Sequence, residues 1–447
     1  MKYLLVVVAL LLCVEVGAVT NPVMWILVHH SLKAAREDPI VSPGQLSSHA
    51  HSFVGANGVS ATTTTASSLE EASTCTTAGL TADMSAYWAP SLYSYNADND
   101  TFTPRPLDYV NTYYLGRGSA PLVAFPRGLQ MLAGNATRRG AGPTQQADDA
   151  VSFVCLNYAD GSSQSPTLPE RSCPQGLRTQ VIFPSCWNGQ DLVSKNHSHV
   201  VYPRGDISQG SCPDSNPIRL PTLFYEFVWG VGSTNNAGNS SWVLSNGDAI
   251  GYSFHADFIS AWDESILQQA LDECRGALFN DLESCPPLAK TLDRKKSQAC
   301  SAQSSEATSG NIRSLPGCNV VWNGPHAGKG LAEGCDANKL MLKPANWPAS
   351  SSTSAASSAP TSAATLAATS TSAAQTQKPS QAVVAAASQS AKTSATPKVQ
   401  PKPTSKSKPK PKPNPKPNPK PFKKPKNKKP SKKPLANSHT RKPKNRH

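Results

Sequence analysis

Apolar positions along this chain fall into short runs separated by polar breaks. Val151-Ser-Phe-Val-Cys155, Gln180-Val-Ile-Phe183, Leu223-Phe-Tyr-Glu-Phe-Val228 and Trp242-Val-Leu244 are rich in β-branched and aromatic residues and are bounded by Gly, Pro, Asn and Ser, the pattern of short strands. One stretch changes period. From Ser260 to Phe279, Ile266, Leu267, Ala270, Leu271, Cys274 and Leu278 recur at helical spacing, with Asp263 and Glu264 where acidic side chains favour a helix start. Together these patterns predict an α+β fold, predominantly β and sandwich-like, with long loops.

Both ends depart from that pattern. Leu4 to Val14 is an apolar run behind Lys2, too short to cross a bilayer, and Val16-Gly17-Ala18 offers the small residues a signal peptidase accepts. Residues 1–18 are therefore expected to be a signal peptide, and the mature protein to be secreted without a membrane span. Residues 349–397, nearly all Ser, Thr and Ala, cannot bury a core and suit an O-glycosylated stalk. Residues 398–447 are dominated by Lys, Pro and Asn and predict a disordered, extended cationic tail. Residues 19–348 contain no linker and are read as one globular domain.

Charge sharpens this division. Of 43 Lys and Arg, residues 349–447 hold 21 and no Asp or Glu, leaving 22 basic against 29 acidic residues in the rest, a net of −7. The overall +14 thus belongs to the tail. An anionic polymer is the expected partner of that tail, bound more weakly as salt rises. Nucleic acid is not, because Phe422 is the tail's single aromatic residue and a secreted chain seldom meets nucleic acid.

Cysteine usage fits an oxidising route. Once Cys13 leaves with the signal, ten remain: Cys75, Cys155, Cys173, Cys186, Cys212, Cys274, Cys285, Cys300, Cys318 and Cys335. Five disulfides of open connectivity are expected, since no Cys-x-x-Cys spacing supports a thiolate zinc site. Sequons at Asn99, Asn135, Asn196 and Asn239 add candidate N-glycosylation sites.

Candidate chemistry concentrates in His49-Ala-His51, His197-Ser-His199 and His255-Ala-Asp257. On a strand, residues two apart share a face, so each pair can chelate a metal or flank a substrate. Imidazole with carboxylate suits zinc, copper, manganese or iron, and equally suits metal-free acid and base catalysis. No Ser-His-Asp elbow, phosphate loop or dinucleotide fingerprint appears in convincing context.

Seven motifs occur in order: Arg36-Glu-Asp38-Pro-Ile-Val-Ser-Pro-Gly44; His49-x-His51; Ala82-Asp83-x-Ser-x-Tyr87-Trp88-x-Pro-x-Leu-Tyr93; Ala124-Phe-Pro-x-Gly128; Phe183-Pro-Ser-Cys186-Trp187-x-Gly189; Ser198-His199-Val-x-Tyr202-Pro203; and Gly251-Tyr-x-Phe-His255-x-Asp257-Phe-Ile-x-x-Trp262. Over about residues 34–275 the chain resembles a secreted family of unknown function, common in filamentous fungi and basidiomycetes, present in actinomycetes, and sometimes joined to WSC carbohydrate-binding modules. The resemblance implies a setting at cell walls or polysaccharides rather than a particular reaction. It also implies functional histidines at His49, His51, His199 and His255 and acidic positions at Asp38, Asp83 and Asp257, with His197 a bystander inside the Asn196 sequon. The chain departs from the family in having His29 and His30 near the usual place of one cysteine and Ala78 at that of another, which leaves the partner of Cys75 open.

Two functions follow as expectations. In the first, the protein is a carbohydrate-active hydrolase or lyase: His49, His51, His199 and His255 hold a divalent transition metal, or Asp83, Asp257 and His255 carry acid and base catalysis directly. In the second, it is a non-catalytic wall protein that binds extracellular polysaccharide by stacking Tyr87, Trp88, Trp187, Tyr202 and Trp262 on sugar faces.

Overall fold

Alternation along the longest strands decides how the sheets face one another. The computed structural model describes residues 24–141, 146–232, 240–323 and 332–339; the signal segment, Asn239, the stalk and the cationic tail lie outside the described residues. In the strand Leu107–Leu115, buried Val110, Thr112 and Tyr114 alternate with the partly exposed Tyr109, Asn111 and Tyr113. This strand pairs antiparallel with Thr222–Trp229 on one side and Met24–His29 on the other. Leu177–Ile182, Val151–Cys155 and Ser163–Ser165 extend the sheet beyond Thr222–Trp229. Ala277–Phe279 adds in parallel at the opposite edge, giving seven strands with one buried face.

A second sheet is buried on both faces. Its order is Lys33–Ala35, His51–Gly55, Ala86–Pro90, His255–Ile259 and Gln130–Gly134, all antiparallel. Every residue of its three central strands is buried. One face sets Val54, Tyr87, Ala89, Met131, Ala256 and Phe258 against Leu27, Tyr114, Val181 and Tyr225 of the seven-stranded sheet, with Tyr87 and Tyr225 ring centroids 5.7 Å apart. The other face packs Phe53, Trp88 and Ile259 under Ala66 and Leu69 of the helix Ala66–Ala72. Stacking of the two sheets gives the mostly β, sandwich-like arrangement that the strand pattern predicts. Two three-stranded sheets complete it.

Val151–Cys155 forms the expected strand, the expected runs at 223–228 and 242–244 extend by one or two residues to Thr222–Trp229 and Ser240–Leu244, and the run at 180–183 starts three residues earlier and stops before Phe183, as Leu177–Ile182. The long helix is a correction. It spans Glu264–Glu273 alone, started by the Asp263 carboxylate, which accepts from Ser265 N and Ile266 N, and ended at Cys274, whose backbone is extended. Gly276 then takes φ +81°, a conformation open to glycine, and turns the chain into the edge strand Ala277–Phe279. Apolar spacing persisted past Cys274 because Leu278 serves the same core from a strand.

All ten described cysteines pair, as Cys75–Cys300, Cys155–Cys173, Cys186–Cys212, Cys274–Cys285 and Cys318–Cys335. The usual family cysteine positions near His29 and at Ala78 are filled otherwise: His29 is buried and bonded to Thr77 Oγ1 and Thr112 Oγ1 at 2.9 and 3.0 Å. Among the described residues no helix is long and apolar enough to cross a membrane.

Candidate metal centre

The register of the five-stranded sheet brings two distant histidines together. His51 pairs with Pro90 and Asp257 with Trp88, so continuing the second register by two residues sets His255 beside Pro90 from the opposite side. Both histidines, and Asp257, therefore project from the face turned away from the main core. His49 comes from the loop just before its strand, its ring 4.3 Å from that of His51 and 5.2 Å from that of His255. The ligand atoms of the three imidazoles all lie within 4.8 Å of one another.

Hydrogen bonds at the far side of the rings fix which nitrogen faces inward. His51 Nδ1 donates to the Glu37 carbonyl at 2.9 Å and His255 Nδ1 to the Ser253 carbonyl at 2.8 Å. Carbonyls only accept, so these rings carry their protons on Nδ1 and present Nε2 as a lone pair. His51 Nε2 is buried without a hydrogen-bond partner, and His255 Nε2 faces His49 Nε2 at 3.3 Å. Two facing nitrogens need a proton or a shared cation between them. Burial pushes His51 and His255 down to about 4 and His49 well below its ordinary value, in the last case helped by the neighbouring imidazoles and by Arg36 and Arg139. The rings are thus neutral at pH 7, the state in which imidazole binds metal.

Carboxylates flank this cluster. Asp38 Oδ1 accepts from Ile40 N and Val41 N at 3.1 and 2.9 Å, which anchors its loop. Burial raises the Asp38 carboxyl, opposed by those N–H groups and by His255. Asp257 is fully buried with no partner on either carboxylate oxygen, and burial together with the nearby Asp38 charge holds its carboxyl well above the usual range.

Of the second histidine pair, the member expected to join the site is held elsewhere. His199 Nε2 donates to the Gln130 carbonyl at 2.7 Å and its Nδ1 meets Ser194 Oγ at 3.0 Å; both nitrogens hold loops together, so His199 is not brought to the cluster. His197, expected to be a bystander, has φ +53° and a buried, unpartnered Nδ1, with its ring close enough to Asp38 to feel that charge. Left-handed backbone at a histidine leaves no mark in sequence.

Asp83 also departs from its expected role. Its carboxylate accepts from Ser85 N at 3.0 Å and from the Tyr87 hydroxyl, which meets the Tyr114 hydroxyl at 2.8 Å; Trp262 Nε1 donates to that same oxygen at 2.8 Å. This network faces the main core, whereas Asp257 faces the other side of the sheet, so the two carboxylates do not flank one glycosidic bond. Burial pushes Asp83 up to about 6. Tyr87, Trp88 and Trp262 have no exposed surface and cannot stack on a sugar. Trp187 and Tyr202 are half-buried, Trp187 Nε1 donating to the Asp191 carbonyl and the Tyr202 hydroxyl to the Ile182 carbonyl.

The cluster is roofed from the C-terminal side. Asn319 Nδ2 donates to Ser48 O at 2.8 Å, and Arg36 Nη1 donates to the Ala337 carbonyl. His49 keeps 8% of its surface, His255 4% and His51 none. A surface groove of about 710 Å³ lies elsewhere, lined by Glu70, Arg127, Trp262, Asp263 and Glu264. Its Arg127 is already paired with Glu70, so the unsatisfied ligand atoms sit with the histidines instead.

Stacked, mostly antiparallel sheets, five disulfides and a sheltered tri-imidazole cluster define the class of protein. A family model described as a domain of unknown function, DUF1996, matches residues 38–262, and the chain belongs to that family. No curated protein and no solved structure matches the chain.

Proposed function

We propose that this is a secreted, cell-wall-associated metalloprotein that acts on extracellular polysaccharide, with His49, His51 and His255 holding a divalent transition metal. The observation that carries the reading is the convergence of three imidazole nitrogens with His51 and His255 Nδ1 tied to carbonyls. Neutral imidazoles suit zinc or copper better than magnesium or calcium. Bound there, a metal supplies Lewis-acid polarisation of a substrate oxygen or activates water. The protein's own part is to orient the imidazoles, exclude bulk water and keep Asp257 and Asp38 beside them. The apolar N-terminal run, the five disulfides and the family's association with carbohydrate-binding modules support the extracellular glycan setting. The Lys/Pro tail would add salt-sensitive adhesion to anionic polymer.

A second reading, a non-catalytic glycan-binding or structural wall protein, is favoured by the burial of the cluster, which leaves little room for a sugar chain beside the histidines. Elemental analysis tests the metal, and turnover separates the readings. Purified full chain is expected to retain close to one zinc or copper, and a His51→Ala/His255→Ala variant, folded by circular dichroism, to retain none. Metal-dependent release of soluble sugar from wall polysaccharide supports the enzyme; metal without turnover supports the binding protein; absence of metal after loading and dialysis refutes the metal centre.

A further inference from the structure

Three neutral imidazoles bring a dication into a dry site without any countercharge. Asp257 projects from the same sheet face as His255, two residues along one strand, and both its carboxylate oxygens are buried with no hydrogen-bond partner. Such a group is strongly unfavourable when ionised unless a positive charge compensates it. Arg36 and Arg139, whose charges act on His49, are engaged elsewhere: Arg36 donates to the carbonyls of Ser47 and Ala337, and Arg139 lies over Trp322 and donates to the carbonyls of Ala136 and Arg138. His51 Nε2, unpartnered at zero exposure on the same face, points independently to a ligand in this space.

We infer that Asp257 is the charge-compensating partner of a dication held by His49, His51 and His255, with Asp38 as the second carboxylate of that flank. The inference rests on the tri-imidazole reading and adds to it a selection for divalent over monovalent ions. In the ligand-free geometry the Asp257 oxygens stand outside the set that lies within 4.8 Å of all three imidazoles. Asp257 would therefore act as a positioning and neutralising group beside the ligands rather than as one of them.

Zn2+ affinity of the full chain by competition with a chromophoric chelator, for wild type, Asp257→Asn, Asp257→Glu and His51→Ala/His255→Ala, tests this. Asp257→Asn is expected to weaken Zn2+ binding 10- to 100-fold and to alter the visible spectrum of the Co2+-loaded protein. Without metal it should melt no lower than wild type, since the amide replaces a buried carboxyl whose oxygens have no partner; with saturating Zn2+ its stabilisation should be smaller. Asp257→Glu should recover part of the affinity. Wild-type Zn2+ affinity and an unchanged Co2+ spectrum in Asp257→Asn, with binding lost in the double histidine variant, overturn the role of Asp257 and leave the histidine site standing. Failure of wild type itself to bind Zn2+ overturns the tri-imidazole reading and this inference with it.

Discussion

Asp83 carries a carboxyl pushed up to about 6 by burial between the two sheets, although it receives hydrogen bonds from Ser85 and Tyr87. The folded state thus holds this proton more tightly than the unfolded chain, whose carboxyl titrates near 3.8. Lowering the pH through 6 towards 4 therefore adds stability through this group, up to about 3 kcal/mol. An Asp83→Asn variant cannot gain it. Denaturant titrations at pH 7 and pH 4 should show the wild type improving relative to Asp83→Asn by about that amount, and parallel pH profiles would refute the assignment. His29 works in the opposite sense: burial pushes it down to about 3, so its contribution is complete above pH 6.5 and declines as the pH falls towards 3.

At the scale of elements, the turn at 316–318 sets the position of His49. Gly317 has φ +78°, and a Cβ there would stand 2.0 Å from the Ser48 carbonyl oxygen. Gly317→Ala is expected to lower stability by about 1–3 kcal/mol and to weaken Zn2+ binding by displacing the Ser48–His49 loop; thermal melts with and without metal check both. The core strands were legible because Val, Ile, Phe and Trp cluster between breakers. Two-residue strands such as Cys186–Trp187 carry no such period. His51, His255 and Asp257 were legible as a group through period-two spacing and the family motifs. That His199 is held away from the cluster was not, because it depends on a carbonyl, that of Gln130, from another strand. Tyr87, Trp88 and Trp262 look alike in sequence whether they stack on sugar or pack against core aromatics; only their complete burial in the fold decides it.

For the whole molecule, Cys75–Cys300 closes a span of 225 residues, whereas Cys274–Cys285 closes 11. Loop-closure entropy assigns about 5 kcal/mol to the first and about 3 kcal/mol to the second. Paired Cys→Ala variants compared by urea denaturation should rank in that order, and equal losses would show that native packing rather than chain entropy sets the effect. This bridge ties the region next to the five-stranded sheet to a segment beyond the family match, as do the contacts of Asn319 and Arg36.

The family match therefore ends before the folded unit does. A gene fragment transplanted at residue 262 or 275 would carry all three histidines yet leave Cys75 without its partner and Ser48 without Asn319. On the proposed metal reading, such a fragment would expose the three imidazoles and exchange ions more freely than the full chain. On the proposed reading, any discrimination between ions would thus depend on the C-terminal roof as much as on the three histidines.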